Sequence, residues 1–240
     1  MSILLLQGIP FSNQFWEPII QRLHHHQLIC HTWNYLEISG DLQELLQQMH
    51  QFCQQHNITT IVAHGFAVPL AWKYCEQYPM ESLIVSNGYL HQQGLNQMLL
   101  KSFNHLPDLL KEQLLRPAIA LPILASSAIF RRLVINPYVM NYDNIVLLCQ
   151  EQLQQKSIRK NLCQYLQNLN NWSISTKIQS GRIQAIWGDV DPLFPIDQIP
   201  KINIHQSIEL KIIEGAAHFH PIERPWALAD RIAQREQNSQ

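Results

Sequence analysis

The sequence has no excess of charge of either sign. Its 240 residues carry 17 Lys and Arg against 18 Asp and Glu, which gives a formal net charge of -1. A nucleic acid backbone or an anionic membrane surface is held by a broad positive field, and this composition does not supply one. We therefore expect neither nucleic acid nor an anionic membrane as a partner.

Cysteine is scarce and follows no pattern of a metal or disulfide site. The five cysteines are odd in number and widely spaced, without a Cys-x-x-Cys pair: Cys30, Cys53, Cys75, Cys149 and Cys163. The first residues, Met1 to Leu6, lack the basic segment and the apolar length of a secretory signal, so we interpret them as a strand. Together these absences favour a protein of the reducing cytoplasm.

The sequence also lacks a hydrophobic run long enough to cross a membrane. The longest one, Pro117 to Phe130, is interrupted by Pro122 and falls short of the roughly 20 residues that a spanning helix requires. We predict no transmembrane span. We interpret this run as the most buried part of an inserted helical segment rather than as a membrane-surface contact.

What the chain does contain is an alternation of apolar strands with segments of helical spacing. The predicted strands are Ile3–Gln7, Gln27–Trp33, Thr59–Ala63, Ser82–Ser86, Arg182–Trp187 and Ile208–Ile213. Strands that are apolar on both faces predict a mostly parallel sheet flanked by helices, an α/β fold with its site at the carboxyl ends of the strands. A leucine-rich helical stretch interrupts this alternation. We therefore predict a core in two parts, residues 1–90 and 179–240, with a helical lid at 91–178.

Four loops follow predicted strands, in a fixed order. They are Gln7-Gly8-Ile9-Pro10, Ala63-His64-Gly65-Phe66-Ala67, Gly188-Asp189-Val190-Asp191-Pro192, and the run from Gly215 to Pro225 that reads GAAHFHPIERP. In content and order they resemble the α/β-hydrolase superfamily, in particular its lidded esterases, epoxide hydrolases and carbon–carbon bond hydrolases. The resemblance implies the α/β-hydrolase fold over nearly the whole chain.

The resemblance also assigns roles to residues of these loops. His218 matches the general base and Asp191 matches the acid that orients it. The backbone N–H groups of Ile9 and Phe66 match the oxyanion hole, and Gly65 stands where the nucleophile belongs. Two further departures are Gln7 in place of a histidine and Ala217 in place of a glycine.

Glycine at position 65 decides what chemistry remains. A serine there would attack a carbonyl while the histidine removes its proton, and glycine has no atom for this step. The turn needs a backbone conformation with φ above zero, which glycine adopts without steric cost. We therefore expect Gly65 to preserve the fold while removing covalent catalysis, with the two backbone donors still able to hold a carbonyl or an anion.

Three functions stay open at this point. The first is an enzyme in which His218 and Asp191 act as a general-base pair on a small apolar carbonyl-type substrate, in lyase, cyclase or direct hydrolytic chemistry. The second is an inactive binding or scaffold protein, with a small ligand or a protein partner, in which the acid and histidine only stiffen their loops. The third is an ordinary serine hydrolase, if Gly65 replaces a native serine.

We expect no cofactor and no metal. His218, His220 and Glu223 have side chains that can ligate metal, but their spacing is also that of the family's histidine loop and no second histidine or cysteine cluster accompanies them.

Overall fold

Six parallel strands form one sheet in the computed structural model of the protein, which describes residues 1–88, 95–126, 142–169, 172, 178–197 and 208–237. The strands are β1 (Ser2–Leu6), β2 (Ile29–Thr32), β3 (Ile58–Gly65), β4 (Met80–Gly88), β5 (Ser180–Gly188) and β6 (Ile208–Ile213). Their order in the sheet is β2-β1-β3-β4-β5-β6, and each neighbouring pair is parallel. The α/β class and the parallel sheet predicted from the sequence are confirmed.

The central strands are buried because both of their faces are apolar. Fully buried side chains of β1, β3 and β4 include Ile3, Leu4, Leu5, Leu6, Ile61, Val62, Ala63, Leu83, Ile84 and Val85. Such continuous runs are typical of parallel strands that are covered by helices on both sides. Burying a Leu or Ile side chain contributes about 1.5–3 kcal/mol, so these three strands form the main stabilising unit of the fold.

Helices of the core pack on the two faces of the sheet. They are α1 (Glu17–His25), α2 (Leu42–Gln55), α3 (Val68–Gln77), α9 (His220–Glu223) and α10 (Pro225–Gln237). α1 packs against α10, and α2 packs against α3. Right-handed crossovers explain why α1 and α2 lie on opposite faces of the sheet. The chain moves in one direction from β1 to β2 and in the other direction from β2 to β3 and β4, and each direction places the connecting helix on a different face.

Between β4 and β5 the described residues form a helical segment. It contains α4 (Leu95–Asn104), α5 (Asp108–Leu114), α6 (Pro117–Ser126), α7 (Tyr142–Gln154) and α8 (Lys156–Leu169). The Leu148 carbonyl of α7 accepts a hydrogen bond from the Ser12 N–H at 3.2 Å, and the Tyr165 hydroxyl of α8 donates to the Phe66 carbonyl at 2.7 Å. This segment therefore lies over the carboxyl ends of β1 and β3. Its action as a lid, and the boundaries 91 and 178, which fall near or within undescribed stretches, stay predictions.

The prediction that Pro117–Phe130 is the most buried part of this segment is wrong where the structure describes it. Residues up to Ser126 are helical, but Ile119 is 38% exposed and Pro122 is exposed as well. α6 packs on α5 and α7, whereas α8 packs on the 3₁₀ turn Tyr35–Glu37 of the core. Most of the buried apolar side chains described in this segment belong instead to α7 and α8, among them Cys149, Leu153, Ile158, Leu162, Leu166 and Leu169, whereas α4 and α6 contribute Leu100 and Ala120.

An evenly apolar helix such as α6 has no periodic stripe to indicate which side packs, so its hydrophobicity alone did not predict its depth. Residues 127–130 of the predicted run lie outside the described residues. No helix within the described ranges is long and apolar enough to span a membrane.

The end of β5 lies so close to the loop after β6 that a side chain at Gly188 has no room. A methyl group on Gly188 would run into the main-chain carbonyl of Ala216. We expect Gly188→Ala to lower the free energy of unfolding by about 2–3 kcal/mol, measured by urea denaturation. Gly215→Ala is the matched control, since its methyl would have 3.9 Å to its nearest neighbour and only the backbone φ of +60° opposes it. That control should cost about 1 kcal/mol, and equal losses in the two variants would contradict the crowding argument.

Candidate active site

The sheet changes its winding direction between β1 and β3. These strands are neighbours in the sheet although β2 lies between them in sequence, so the connections leaving their carboxyl ends diverge. Crevices of this kind are where ligands bind in open α/β sheets. Gly8 follows β1 and Gly65 ends β3, and a Cβ built on Gly65 would lie 3.6 Å from the Gly8 Cα. The candidate site is centred on this pair of glycines.

Gly65 has the left-handed backbone conformation expected of the elbow. Its φ is +59°, in the left-handed region that glycine tolerates best. The Ala67 N–H donates to the His64 carbonyl at 3.1 Å, which closes the turn before α3 begins at Val68. On the neighbouring strand, a Cβ at Gly88 would overlap the Val68 side chain. The glycine at position 88 therefore allows the end of β4 to approach the start of α3.

Asp191 and His218 meet although they come from loops that follow different strands. His218 Nδ1 lies 2.9 Å from Asp191 Oδ2, and both residues are buried. Asp191 Oδ1 accepts hydrogen bonds from the N–H groups of Leu193 at 2.8 Å and Phe194 at 3.2 Å. A carboxylate only accepts, so His218 Nδ1 carries the donated proton and a neutral ring presents a lone pair at Nε2.

The lone pair of His218 lies beside the glycine of the elbow. A Cβ built on Gly65 would be 3.5 Å from His218 Nε2 and 3.6 Å from its Cε1. A hydroxyl carried by that Cβ would reach the nitrogen within hydrogen-bond distance, since a C–O bond adds about 1.4 Å of adjustable reach. The structure thus brings together Gly65, Asp191 and His218 in the arrangement of a nucleophile position, an acid and a base.

The two predicted oxyanion donors flank the same point. Ile9 lies in a turn that the Phe11 N–H closes by donating to the Gly8 carbonyl at 3.1 Å. Phe66 follows Gly65 directly, so both of these backbone groups border the crevice. Their action as an oxyanion hole stays a prediction.

Three buried polar residues beneath the dyad were missed by the sequence reasoning. Ser86 Oγ lies 3.1 Å from His64 Nδ1 and 3.0 Å from His220 Nε2. His220 Nδ1 lies 3.4 Å from the Ala217 carbonyl, which can only accept, so His220 Nε2 accepts the hydroxyl proton of Ser86. His64 Nδ1 must then donate to the Ser86 oxygen. The one signal in the sequence was a polar pair, Ser86-Asn87, at the end of an apolar strand.

The ring of His64 is held between aromatic neighbours. It stacks on Phe15 with centroids 5.1 Å apart and meets the ring of His218 at an interplanar angle of 33°, with centroids 4.7 Å apart. The ring of His64 therefore packs against the imidazole of His218 and supports its orientation. Any sideways movement of the His218 ring would lose this packing.

Burial keeps His64 and His220 neutral. Desolvation lowers the pKa of His64 well below its ordinary value of 6.5, and the neighbouring His218 and His220 lower it further. Desolvation and the nearby His218 lower the pKa of His220 to about 3. The imidazoles of His64 and His220, next to His218, thus remain uncharged at neutral pH.

The histidine loop does not gather metal ligands. His218 turns to Asp191 and His220 turns to Ser86, so their nitrogens serve different partners. In the described part of the chain, no group of three or more His, Cys, Asp or Glu side chains is arranged to hold a metal ion.

The neutral histidines make the stability of the fold depend on pH. Because the pKa of His64 and His220 is lower in the folded protein than in the unfolded chain, the unfolded chain binds more protons below about pH 6.5. We expect the free energy of unfolding to fall between about pH 6.5 and about pH 3, with a slope of up to about 1.4 kcal/mol per pH unit for each histidine.

Urea unfolding at several pH values checks this slope. His220→Gln, which keeps an acceptor for Ser86 but cannot titrate, should show a shallower dependence than the unsubstituted protein. Identical slopes for the two proteins would contradict the neutral state of His220.

Solved structures share this fold, although no protein-family model and no curated protein matches the sequence. An esterase from Thermogutta terrifontis has a TM-score of 0.73 at 12% identity, covering 99% of this chain and 90% of that one. An epoxide hydrolase from Bacillus megaterium has a TM-score of 0.63 at 17% identity, with coverages of 100% and 93%. An alpha/beta hydrolase fold protein from Burkholderia ambifaria has a TM-score of 0.64 at 15% identity, with coverages of 96% and 89%. The chain has the α/β-hydrolase fold.

Proposed function

We propose that the protein is an enzyme of hydrolase type that works without a covalent intermediate. His218, oriented by Asp191, removes a proton either from the substrate or from a water molecule held beside Gly65. The observation that carries this proposal is the 3.5 Å separation between His218 Nε2 and the Cβ position of Gly65. A base with a directed lone pair next to an unfilled nucleophile position suits direct attack by water, or proton abstraction next to a carbonyl.

The backbone supplies the complementary electrostatics in this scheme. The N–H groups of Ile9 and Phe66 stabilise the negative charge that develops on a carbonyl oxygen, a contribution that needs no particular side chain. Asp191 keeps the His218 proton at Nδ1 and stabilises the imidazolium that forms when Nε2 takes a proton. Lyase, cyclase and hydrolytic reactions all follow from these two elements.

The surroundings of His218 favour a small apolar substrate. The ring of Phe194 lies 5.3 Å from the ring of His218, and the rings of Phe66 and Phe194 lie 5.5 Å apart. Aromatic walls with few polar groups bind apolar molecules and strengthen electrostatic interactions by excluding water. An ester, thioester or ketone with a compact hydrocarbon part fits this description.

A binding protein is the second candidate, and the depth of the dyad favours it. His218 is 5% exposed and Asp191 is 4% exposed, so the pair is nearly enclosed. A hydrolase-like domain without a nucleophile can hold a small ligand at such a buried site or present its surface to a protein partner. Mass spectrometry of small molecules that co-purify with the protein would identify a compound whose turnover and affinity can then be measured.

Substitution of the dyad separates the two candidates. For an enzyme, we expect His218→Ala to abolish turnover of the identified compound, because no other group takes the proton. Asp191→Asn should reduce turnover by up to about 10⁴-fold, because the wrong tautomer of His218 is then favoured. Binding affinity, measured by calorimetry, should change far less in both variants. If all three proteins bind the compound equally and none converts it, the general-base proposal is wrong and the pocket is a receptor.

A fluorophosphonate probe tests the geometry of the elbow. The unsubstituted protein should not react, because glycine carries no hydroxyl and the hydroxyl of Ser86, near the dyad, is buried and hydrogen-bonded to two histidines. Gly65→Ser should fold and acquire stoichiometric labelling at residue 65, detected by mass spectrometry. Gly65→Ala is the matched control, since it adds the same Cβ without the hydroxyl and should stay unlabelled. Labelling of the unsubstituted protein, or a folded but unreactive Gly65→Ser, would count against the assigned site.

A further inference from the structure

Asn87 occupies an unusual place at the carboxyl end of β4. It is fully buried, and its backbone φ of +35° is positive, which is uncommon for a residue other than glycine. It lies next to the end of β3, where Gly65 pairs with Gly88. A buried amide in a strained conformation must be held by specific partners, because an unpaired one would cost about 1–3 kcal/mol.

Both ends of the Asn87 side chain are used, and each end holds a different loop of the candidate site. Asn87 Nδ2 donates to the Ala217 carbonyl at 3.1 Å, and Ala217 immediately precedes His218. Asn87 Oδ1 accepts from the Gly188 N–H at 2.8 Å, and Gly188 begins the loop that carries Asp191. One amide group therefore joins the sheet to the acid loop and to the histidine loop at the same time.

We propose that Asn87 is the positioning residue that holds Asp191 and His218 together and in place beside Gly65. The two loops also contact each other, since the Val190 N–H donates to the Ala216 carbonyl at 3.2 Å and the Ala216 N–H donates to Asp189 Oδ1 at 3.2 Å. Those bonds join one loop to the other. Asn87 fixes the joined pair relative to β4 and so relative to Gly65. The inference rests on the proposed function, because positioning matters only where the dyad acts on a substrate.

The chemistry of the position selects asparagine. The side chain must donate to a carbonyl through one atom and accept from an N–H through another. Ionised aspartate has no donor, and serine has only one atom for both hydrogen bonds. Asparagine is also enriched among the residues that adopt a positive φ. Gly188 adds a further constraint, because a side chain there would run into the Ala216 carbonyl, so the start of the acid loop lies directly against the histidine loop.

The test uses Gly65→Ser protein and the rate of its labelling by a fluorophosphonate, which depends on the distance from His218 to the new hydroxyl. Asn87→Gly removes the side chain and relieves the positive φ, so any loss of rate reports the lost hydrogen bonds rather than backbone strain. Asn87→Asp keeps the shape and the acceptor for Gly188 but loses the donor to Ala217. We expect both variants to label about 10–100-fold more slowly, because a displacement of about 1 Å costs that much.

Ser82→Ala is the matched control. Ser82 lies on the same strand, is equally buried, and its Oγ has no hydrogen-bond partner in the described structure. Its labelling rate should equal that of the Gly65→Ser parent. Circular dichroism and the unfolding midpoint of each variant show whether it is folded. If Asn87→Gly does not fold, Asn87→Asp decides the question.

A second readout is independent of any reaction. The proton between His218 Nδ1 and Asp191 gives a downfield proton NMR resonance in the protein with glycine at position 65, identified by its loss in His218→Ala. In Asn87→Asp and Asn87→Gly it should shift or broaden, and in Ser82→Ala it should not. Unchanged labelling and an unchanged resonance in a folded Asn87 variant would overturn the positioning role. If Gly65→Ser itself never labels, the proposed function fails, and the resonance alone then decides the role of Asn87.

Discussion

The meeting of β1 and β3 at the centre of the sheet is the constraint on which the site depends. Their carboxyl ends approach closely while the chains leaving them diverge, and two glycines stand at the contact, since a Cβ built on Gly65 would lie 3.6 Å from the Gly8 Cα. The crevice is therefore bordered by the backbone of two glycines and not by their side chains. The loops after β5 and β6 then bring the polar groups to it, and the helical segment after β4 contacts its edge through the hydrogen bond from the Tyr165 hydroxyl to the Phe66 carbonyl.

Much of this arrangement could be predicted from the sequence because local patterns and the global fold agree. The strands alternate with helices as the sequence predicts, with Leu42–Gln55 after β2 and Val68–Gln77 after β3. The positive φ of Gly65 and the contact between Asp191 and His218 were also predictable, from the order of the loops that carry them. Motif order carries three-dimensional information when successive strand ends meet at one edge of a sheet.

What the sequence did not predict depends on contacts between distant residues. Ser86 and His220 are 134 positions apart and join only because β4 ends beneath the histidine loop. Each of these polar residues, taken alone, is typical of a loop or a helix end. The exposure of Ile119 was missed for a related reason, since the depth of an apolar helix depends on its neighbours and not on its own composition.

The glycine at the elbow also bears on how the fold could change over time. A residue with a Cβ at a φ of +59° costs on the order of 1 kcal/mol, a strain that a catalytic serine would impose on the native state. With glycine in place the turn keeps its shape without that strain, while the dyad and the backbone donors keep their positions. Gain and loss of a nucleophile at this turn are therefore separated by one side chain and a small difference in stability, so a lineage could cross between covalent and non-covalent chemistry without rebuilding the scaffold.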